Sequence, residues 1–304
     1  MLGLLEKFGE ILIQLNKEEY IGISCHDAGG AEIISSYVIK HSQYKFLFNL
    51  SGPSIQIFKK KKIKLKNNLN KKNFYEKSNI FLCGSSSLSD HELKTIKKSK
   101  LLKKKCIVFL DHWVNYGERF IRNKVRCLPD EIWVGDKYAQ KKAFKIFGKK
   151  IVHLKINPYF QQLSKIKKNN NSTKIKYDIL YLTEPISSQY KKKLGYNEID
   201  CFKNFLQNIN LFTDSIKLKI RLHPSENNIL KYTNLITDKN IKIFHDKTSI
   251  LLNDILSSKN IVGAETNAMV VAIKLKKNVY SAIPYKFKCR LPFKLIKRFN
   301  YRDN

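Results

Sequence analysis

KLKIRLHPSENN (residues 217–228), IKIFHD (241–246) and ILSSKNIVGAETNAMVVAIKLKKNVYSAIP (255–284) lie in one stretch, residues 217–284, whose reading decides the fold. Short apolar runs alternate with segments of helical spacing: strand, loop, helix, strand, helix, strand, glycine turn, helix, strand. Strands this short and this uniformly apolar suit a parallel sheet covered on both faces. Two loops of unusual polar content, 221–226 and 263–267, each follow a strand candidate. In an open α/β sheet the carboxyl ends of the strands are where ligands bind.

Working outward, the same alternation covers most of the chain. Downstream of residue 176 it gives strands at 177–183, 216–222, 241–244, 260–262 and 279–282, with helices at 200–208, 229–237, 249–257 and 268–275. Upstream it gives strands at 20–24, 44–49, 79–83, 106–110, 131–134 and 151–154. Helices fall at 31–40, at 90–98 with a capping-type start at Ser89, and at 136–147. Residues 59–77, rich in Lys and Asn, suit a solvated loop. The polar run 159–176 reads as a linker. The expected fold is α/β, with two Rossmann-like parallel-sheet domains facing a cleft. Their expected bounds are 1–158 and 177–304. The basic, aromatic tail 285–304 is expected to form a last helix crossing back to the first domain. Residues 1–20 are amphipathic but interrupted by Glu6, Lys7 and Glu10, so they suit neither a signal peptide nor a membrane span. A cytoplasmic protein is expected, peripheral at most on the inner face of a membrane.

The chain carries a net charge of +33, with 58 Lys plus Arg against 25 Asp plus Glu. Only seven of the 58 are Arg, at 119, 122, 126, 221, 290, 298 and 302. Arg is the better reader of bases and the bidentate phosphate ligand. A Lys-dominated excess is therefore read as a solvated surface or an attraction to anionic membrane or acidic substrate, with nucleic acid a poor fit. The six cysteines, 25, 83, 106, 127, 201 and 289, form no CxxC pair and read as small buried hydrophobes.

Five constellations carry candidate chemistry. Arg221-Leu222-His223-Pro224-Ser225-Glu226 closes a strand. Pro224 fixes its own φ and holds His223 extended, which aims the imidazole where it can donate to a phosphate oxygen. The alternative is a His that satisfies a helix cap. Gly263-Ala264-Glu265-Thr266-Asn267 opens a helix. There Thr266, Asn267 and the free backbone amides can hold a phosphate or carboxylate, and Glu265 can accept from ribose hydroxyls; an ordinary N-cap is the alternative. Thr183-Glu184-Pro185-Ile186-Ser187-Ser188 is either a loop over a base or phosphate or a plain proline turn.

In the first half, His26-Asp27-Ala28-Gly29-Gly30 joins a strand to a helix N-terminus, a natural anion or sugar site. It is not GxGxxG, so no dinucleotide fingerprint is assigned. Asp27 is the first candidate general base and His26 the second; Asp27 as a helix cap is the alternative. Asp111-His112-Trp113, with Asn115, Tyr116, Glu118 and Arg119, suits carbohydrate: aromatic faces stack on sugars and Asn or Arg hold hydroxyls. Asp111 is the reserve base, and a buried structural Asp-His pair is the alternative. Neither HExxH nor DxD occurs, so no metal is expected.

In order and spacing, His223-Pro224 followed by Thr266-Asn267 resembles the donor half of GT-B glycosyltransferases. The resemblance is closest to bacterial inverting enzymes that use CMP-activated sugars, such as sialyltransferases and Kdo transferases. It covers residues 177–284, and 20–154 in architecture only. The family's acidic-acidic-Gly motif has only a loose counterpart in His26-Asp27-Ala28-Gly29. The resemblance implies that His223, Thr266 and Asn267 contact the nucleotide phosphate. It implies an inverting, metal-independent glycosyltransferase without cofactor, moving a CMP-linked acidic sugar to a glycan or glycolipid acceptor in surface polysaccharide or lipopolysaccharide synthesis. The alternatives are a GT-B-like nucleotide-sugar epimerase, a glycerophosphotransferase, or a basic RNA- or membrane-binding protein without catalysis. The first half offers few carboxylates for an epimerase.

Overall fold

The computed structural model describes residues 19–65, 71–86, 89–169, 174–190, 193–213 and 215–299. Residues 1–18 of the expected first helix and the asparagine run at 170–173 lie outside the described residues. The chain forms two compact units, residues 1–162 and 163–304.

Unit 1 runs β1 (Tyr20–Cys25), α1 (Ala28–Lys40), β2 (Lys45–Leu50), α2 (Pro53–Lys60), α3 (Lys71–Lys77), β3 (Ile80–Cys83), α4 (His91–Leu101), β4 (Cys106–Leu110), a hairpin of β5 (Ile121–Arg122) and β6 (Val125–Arg126), β7 (Glu131–Val134), α5 (Lys137–Phe147) and β8 (Val152–Leu154). Its sheet is parallel, in the order β2-β1-β3-β4-β7-β8. β3 and β4 are buried along their whole length, which is why IFLC and CIVFL carry no polar alternation. Ile33, Ile34, Tyr37 and Val38 of α1 and Phe58 of α2 join Ile21, Ile23, Leu82 and Phe109 in one core. Each such side chain contributes about 1.5–3 kcal/mol on burial.

α6 (Pro158–Asn169) spans the boundary between the units. Unit 2 then runs β9 (Tyr177–Leu182), α7 (Ile186–Tyr190), α8 (Glu198–Gln207), β10 (Ile216–Arg221), α9 (Leu230–Thr233), β11 (Ile241–Phe244), α10 (Leu251–Leu256), β12 (Ser258–Gly263), α11 (Asn267–Lys274), β13 (Asn278–Ser281) and β14 (Ile296–Arg298). Its parallel sheet has the order β11-β10-β9-β12-β13-β14. The core packs Ile179, Tyr181, Leu218 and Ile220 of the sheet against Phe202 and Phe205 of α8. A capping box starts α8: Asn197 accepts from the Asp200 amide, and Asp200 accepts from the Asn197 amide at 2.9 Å.

Three segments differ from expectation. The run read as a linker begins as α6, because Tyr159, Leu163 and Ile166 recur at helical spacing and Leu163 is fully buried. The Lys/Asn-rich loop contains α3, anchored by buried Phe74. The tail forms edge strand β14 instead of a helix. Pro284 and Pro292 interrupt helical spacing, Arg298 donates to the carbonyls of Ile283 and Pro284 at 3.0 Å each, and buried Phe299 stacks on Tyr280 at 6.0 Å. Among the described residues no helix is long and apolar enough to cross a membrane.

Candidate functional site

Strand order fixes where ligands are bound. In unit 2 the chain moves from β9 outward through β10 to β11, then returns to add β12 on the other side of β9. The order reverses between β9 and β12, and the crevice at their carboxyl ends is the switch point. The loops after those strands begin at Thr183 and Ala264. Gly263 lets them approach: a Cβ there would stand 3.2 Å from the Leu182 carbonyl oxygen and 3.2 Å from Met269 Sδ.

α11 opens at this point. Thr266 occupies its N-cap with extended backbone, but its hydroxyl makes no cap bond. The Met269 N–H donates to the Thr266 carbonyl at 3.0 Å, while the amides of Asn267 and Ala268 lie outside the helix's own ladder, where they favour an anion. Asn267 Oδ1 is buried there without a hydrogen-bond partner. Glu265 is turned inward instead. It is 1% exposed, and its carboxylate accepts from the backbone N–H and the guanidinium of Arg290, with Nε at 2.7 Å. Both oxygens thus bond Arg290, and the carboxylate faces inward, away from solvent. Glu184 accepts the Glu265 N–H at 3.1 Å. Burial, with the Glu265 charge beside it, pushes its carboxyl up to about 7.

The His223 loop is tied to the same edge by one hydroxyl. Thr183 Oγ1 accepts the His223 N–H at 2.8 Å and donates to Glu226 Oε2 at 2.5 Å. Tyr232 and Lys231 donate to Glu226 Oε1 at 2.8 and 3.2 Å, and Lys231 reaches Glu198, which in turn accepts from Ser187. His223 Nδ1 accepts the Ser225 N–H at 3.2 Å, so the neutral ring carries its proton on Nε2. Pro224 is exposed. Thr183, His223, Glu226, Glu184, Glu265 and Thr266 thus form one linked edge.

Arg221 does not belong to it. Its guanidinium bonds Ser249 and Asp254, the latter at 2.7 Å. Lys219, two residues earlier on the same strand face, meets the other Asp254 oxygen at 2.6 Å.

Unit 1 has its own reversal, between β1 and β3. Gly30 and Gly84 touch there backbone to backbone, since a Cβ on Gly30 would lie 3.1 Å from Gly84 Cα. Asp27 is the N-cap of α1 but makes no cap bond; its carboxylate pairs with His26 Nδ1 at 2.7 Å, and both side chains are about one-third exposed. Gly29 lies in the first turn of α1. The His26 N–H donates to Glu92 Oε1 at 2.7 Å, and Glu92 is 3% exposed with Oε2 unpartnered. Burial, reinforced by the Asp27 charge, pushes Glu92 up to about 7 against the pull of the backbone bonds and of His26.

Asp111 is buried in an ion pair with Arg119 at 2.7 Å, and both bond Ser85. Trp113 is 4% exposed and donates Nε1–H to Asp136, the N-cap of α5, at 2.7 Å, so its faces are packed inside the unit. His112 is half-buried, with its ring 5.8 Å from that of Trp113. Asn115 takes a left-handed backbone, φ 56°, which Asn tolerates. Among the described residues no group of three or more His, Cys, Asp or Glu is placed to hold a metal ion.

Sequence reasoning passed over Glu92, Ser85, Glu198, Lys231, Tyr232 and Arg290. Glu92 lies two residues after Asp90, the N-cap of α4, and that helix-start pattern hid its second role. The carboxylates of unit 1 are also better gathered than the spacing of Asp27, Glu92 and Asp111 suggests.

No protein-family model and no curated protein sequence matches the chain. Solved structures do. S. aureus MnaA, solved with UDP, shares 14% identity over 87% of this chain and 78% of its own, with a TM-score of 0.63. The UDP-GlcNAc 2-epimerase of Neisseria meningitidis, bound to UDP-GlcNAc, shares 13% over 86% and 82%, with a TM-score of 0.59. At such identity the likeness is one of fold, and the chain has the paired parallel-sheet α/β architecture of GT-B enzymes.

Proposed function

We propose that the chain is an enzyme acting on a nucleotide-activated sugar; unit 2 bears the groups suited to a nucleotide phosphate, and unit 1 bears groups suited to proton transfer. One observation carries this. The unit 2 switch point opens on the uncapped N-terminus of α11, and His223 is fixed to the same edge through Thr183. The α11 amides and the Nε2–H of His223 are donors suited to a phosphate that gains charge as a bond to it breaks. Thr266 and Asn267 complete the cradle.

The first reading of the reaction is epimerisation at the sugar carbon next to the anomeric centre. Inverting that carbon requires a proton to leave one face and another to arrive on the opposite face. His26 and Asp27 are both about one-third exposed on the unit 1 edge, so more than one proton-transfer group is present. The fold likeness to a UDP-GlcNAc 2-epimerase supports the same reading. The second reading is inverting transfer to a glycan or glycolipid hydroxyl, with Asp27 or His26 as the single base. UDP-sugars are the first donors to test and CMP-linked acidic sugars the second.

Thermal shift against UDP and CMP tests the nucleotide site. Proton NMR of UDP-GlcNAc with enzyme in D2O then separates the reactions. Loss of the sugar C2 proton signal without acceptor supports epimerisation. Nucleotide release that waits for a glycan acceptor supports transfer. No stabilisation by either nucleotide refutes the proposal.

A further inference from the structure

Glu92 sits in the first turn of α4, where a carboxylate is ordinary, but its surroundings are not. It is almost fully buried, and among the described residues one of its oxygens has no partner and no Lys or Arg forms an ion pair with it. Leaving a buried oxygen without a partner is costly, so a fold retains one where it serves a purpose. The other oxygen takes the amide of His26, at the point where β1 gives way to α1.

Three contacts together set the His26 imidazole. Glu92 holds the His26 amide at 2.7 Å. The His26 carbonyl accepts the Ser54 N–H at 3.1 Å. Gly52, at φ 56°, leaves the space the ring fills, since a Cβ there would lie 2.6 Å from Nε2. With the backbone so fixed, Nδ1 meets Asp27 at 2.7 Å.

We propose that Glu92 is the positioning residue of the His26–Asp27 pair, and that its ionisation sets how firmly the pair is held. As a carboxylate it gives the His26 amide a charge-assisted bond, the stronger kind. As a neutral acid it bonds that amide more weakly and carries an O–H with no acceptor. The crossover falls near pH 7, because burial pushes the carboxyl up to about 7. The groups around Glu92 are consistent with this. His26 and Asp27 face it from the β1–α1 turn, while Cys25 of β1 and Cys83 of β3 are thiols whose ionisation burial opposes. On the β4 side stand Cys106, against Cys83, and the Asp111–Arg119 ion pair. The pair is therefore held tightly above about pH 7 and loosely below it. The catalytic use of the pair rests on the function proposed above; the hold of Glu92 on it does not.

The test is the backbone amide of residue 26, followed by NMR in full-length protein from pH 5.5 to 8.5. In the unmutated chain its proton resonance should move with a midpoint near 7. That movement should persist in His26→Asn and vanish in Glu92→Gln, which keeps an acceptor but cannot ionise. If it vanishes in His26→Asn and persists in Glu92→Gln, the imidazole is its source and the proposal fails. It also fails if the amide does not respond to pH. Glu92→Ala should shift the resonance upfield at every pH, and circular dichroism shows whether that variant is folded. Where turnover is measurable, Glu92→Gln should remove the acidic limb of the kcat profile near pH 7. An intact limb beside a lost amide response would count against the catalytic use of the pair and leave the hold standing.

Discussion

Replacing Thr183 by Val removes one buried hydroxyl and changes little else in volume, yet it should loosen the whole unit 2 edge. Thr183 is 3% exposed, and its Oγ1 makes two bonds, accepting from His223 N–H at 2.8 Å and donating to Glu226 Oε2 at 2.5 Å. The bond to a carboxylate is worth about 1.5–3 kcal/mol, and leaving a buried amide without its acceptor costs about 1–3 kcal/mol. Relief is available, because Glu226 keeps Tyr232 and Lys231 on its other oxygen and the His223 loop can move toward solvent. The net loss should be about 2–4 kcal/mol in unit 2. Both tryptophans, Trp113 and Trp133, lie in unit 1, so their fluorescence does not report on this loss. Far-UV circular dichroism in urea, with native-state hydrogen exchange at the His223 amide, does report on it. Exchange there should accelerate at least about 30-fold, the equivalent of the lower bound of 2 kcal/mol. UDP affinity should fall with it, and Thr183→Ser should restore most of both. A Val variant with unchanged His223 exchange and unchanged nucleotide binding would refute the reasoning.

Asp254→Ala strands Lys219 and Arg221 without their carboxylate and should cost about 3–5 kcal/mol in urea denaturation, while the joint change with Lys219→Met should cost less. Glu184 binds its proton more tightly folded than unfolded, since its carboxyl is pushed up from 4.5 to about 7. Its contribution to stability is therefore fully present below about pH 4.5 and lost as pH rises toward 7, and Glu184→Gln should flatten that slope in a pH series of urea midpoints. Gly263→Ala puts a methyl group 3.2 Å from both the Leu182 carbonyl oxygen and Met269 Sδ, and should weaken nucleotide binding in calorimetry through a strain of about 1–3 kcal/mol.

The sheets were legible because buried parallel strands are written as plain apolar runs, and those at 106–110, 131–134 and 241–244 were bounded correctly. Position was legible too. Loops rich in Gly, Pro and short polar residues after such runs do lie at the switch points. What the one-dimensional pattern does not carry is which polar atoms are already used. Glu265 is bound to Arg290 and Arg221 to Asp254, 25 and 33 residues on. Spacing says nothing of such pairs, because the fold and not the helix or strand period brings them together. Trp113 shows the same limit. A Trp among polar residues reads as a sugar platform, and only the packing of α5 shows it buried. The tail was misread because IKRF is too short to separate a strand from a helix by period.

The Glu265–Arg290 contact has a consequence for the order in which the protein is made. The loop at 263–267 leaves the ribosome well before Arg290, which follows β13 and precedes β14. Until Arg290 emerges, Glu265 lacks the guanidinium that holds its carboxylate, and its negative charge stands beside the N-terminus of α11. A nascent chain that ends short of Arg290 holds most of the sheet of unit 2 but lacks the partner that holds Glu265 inward.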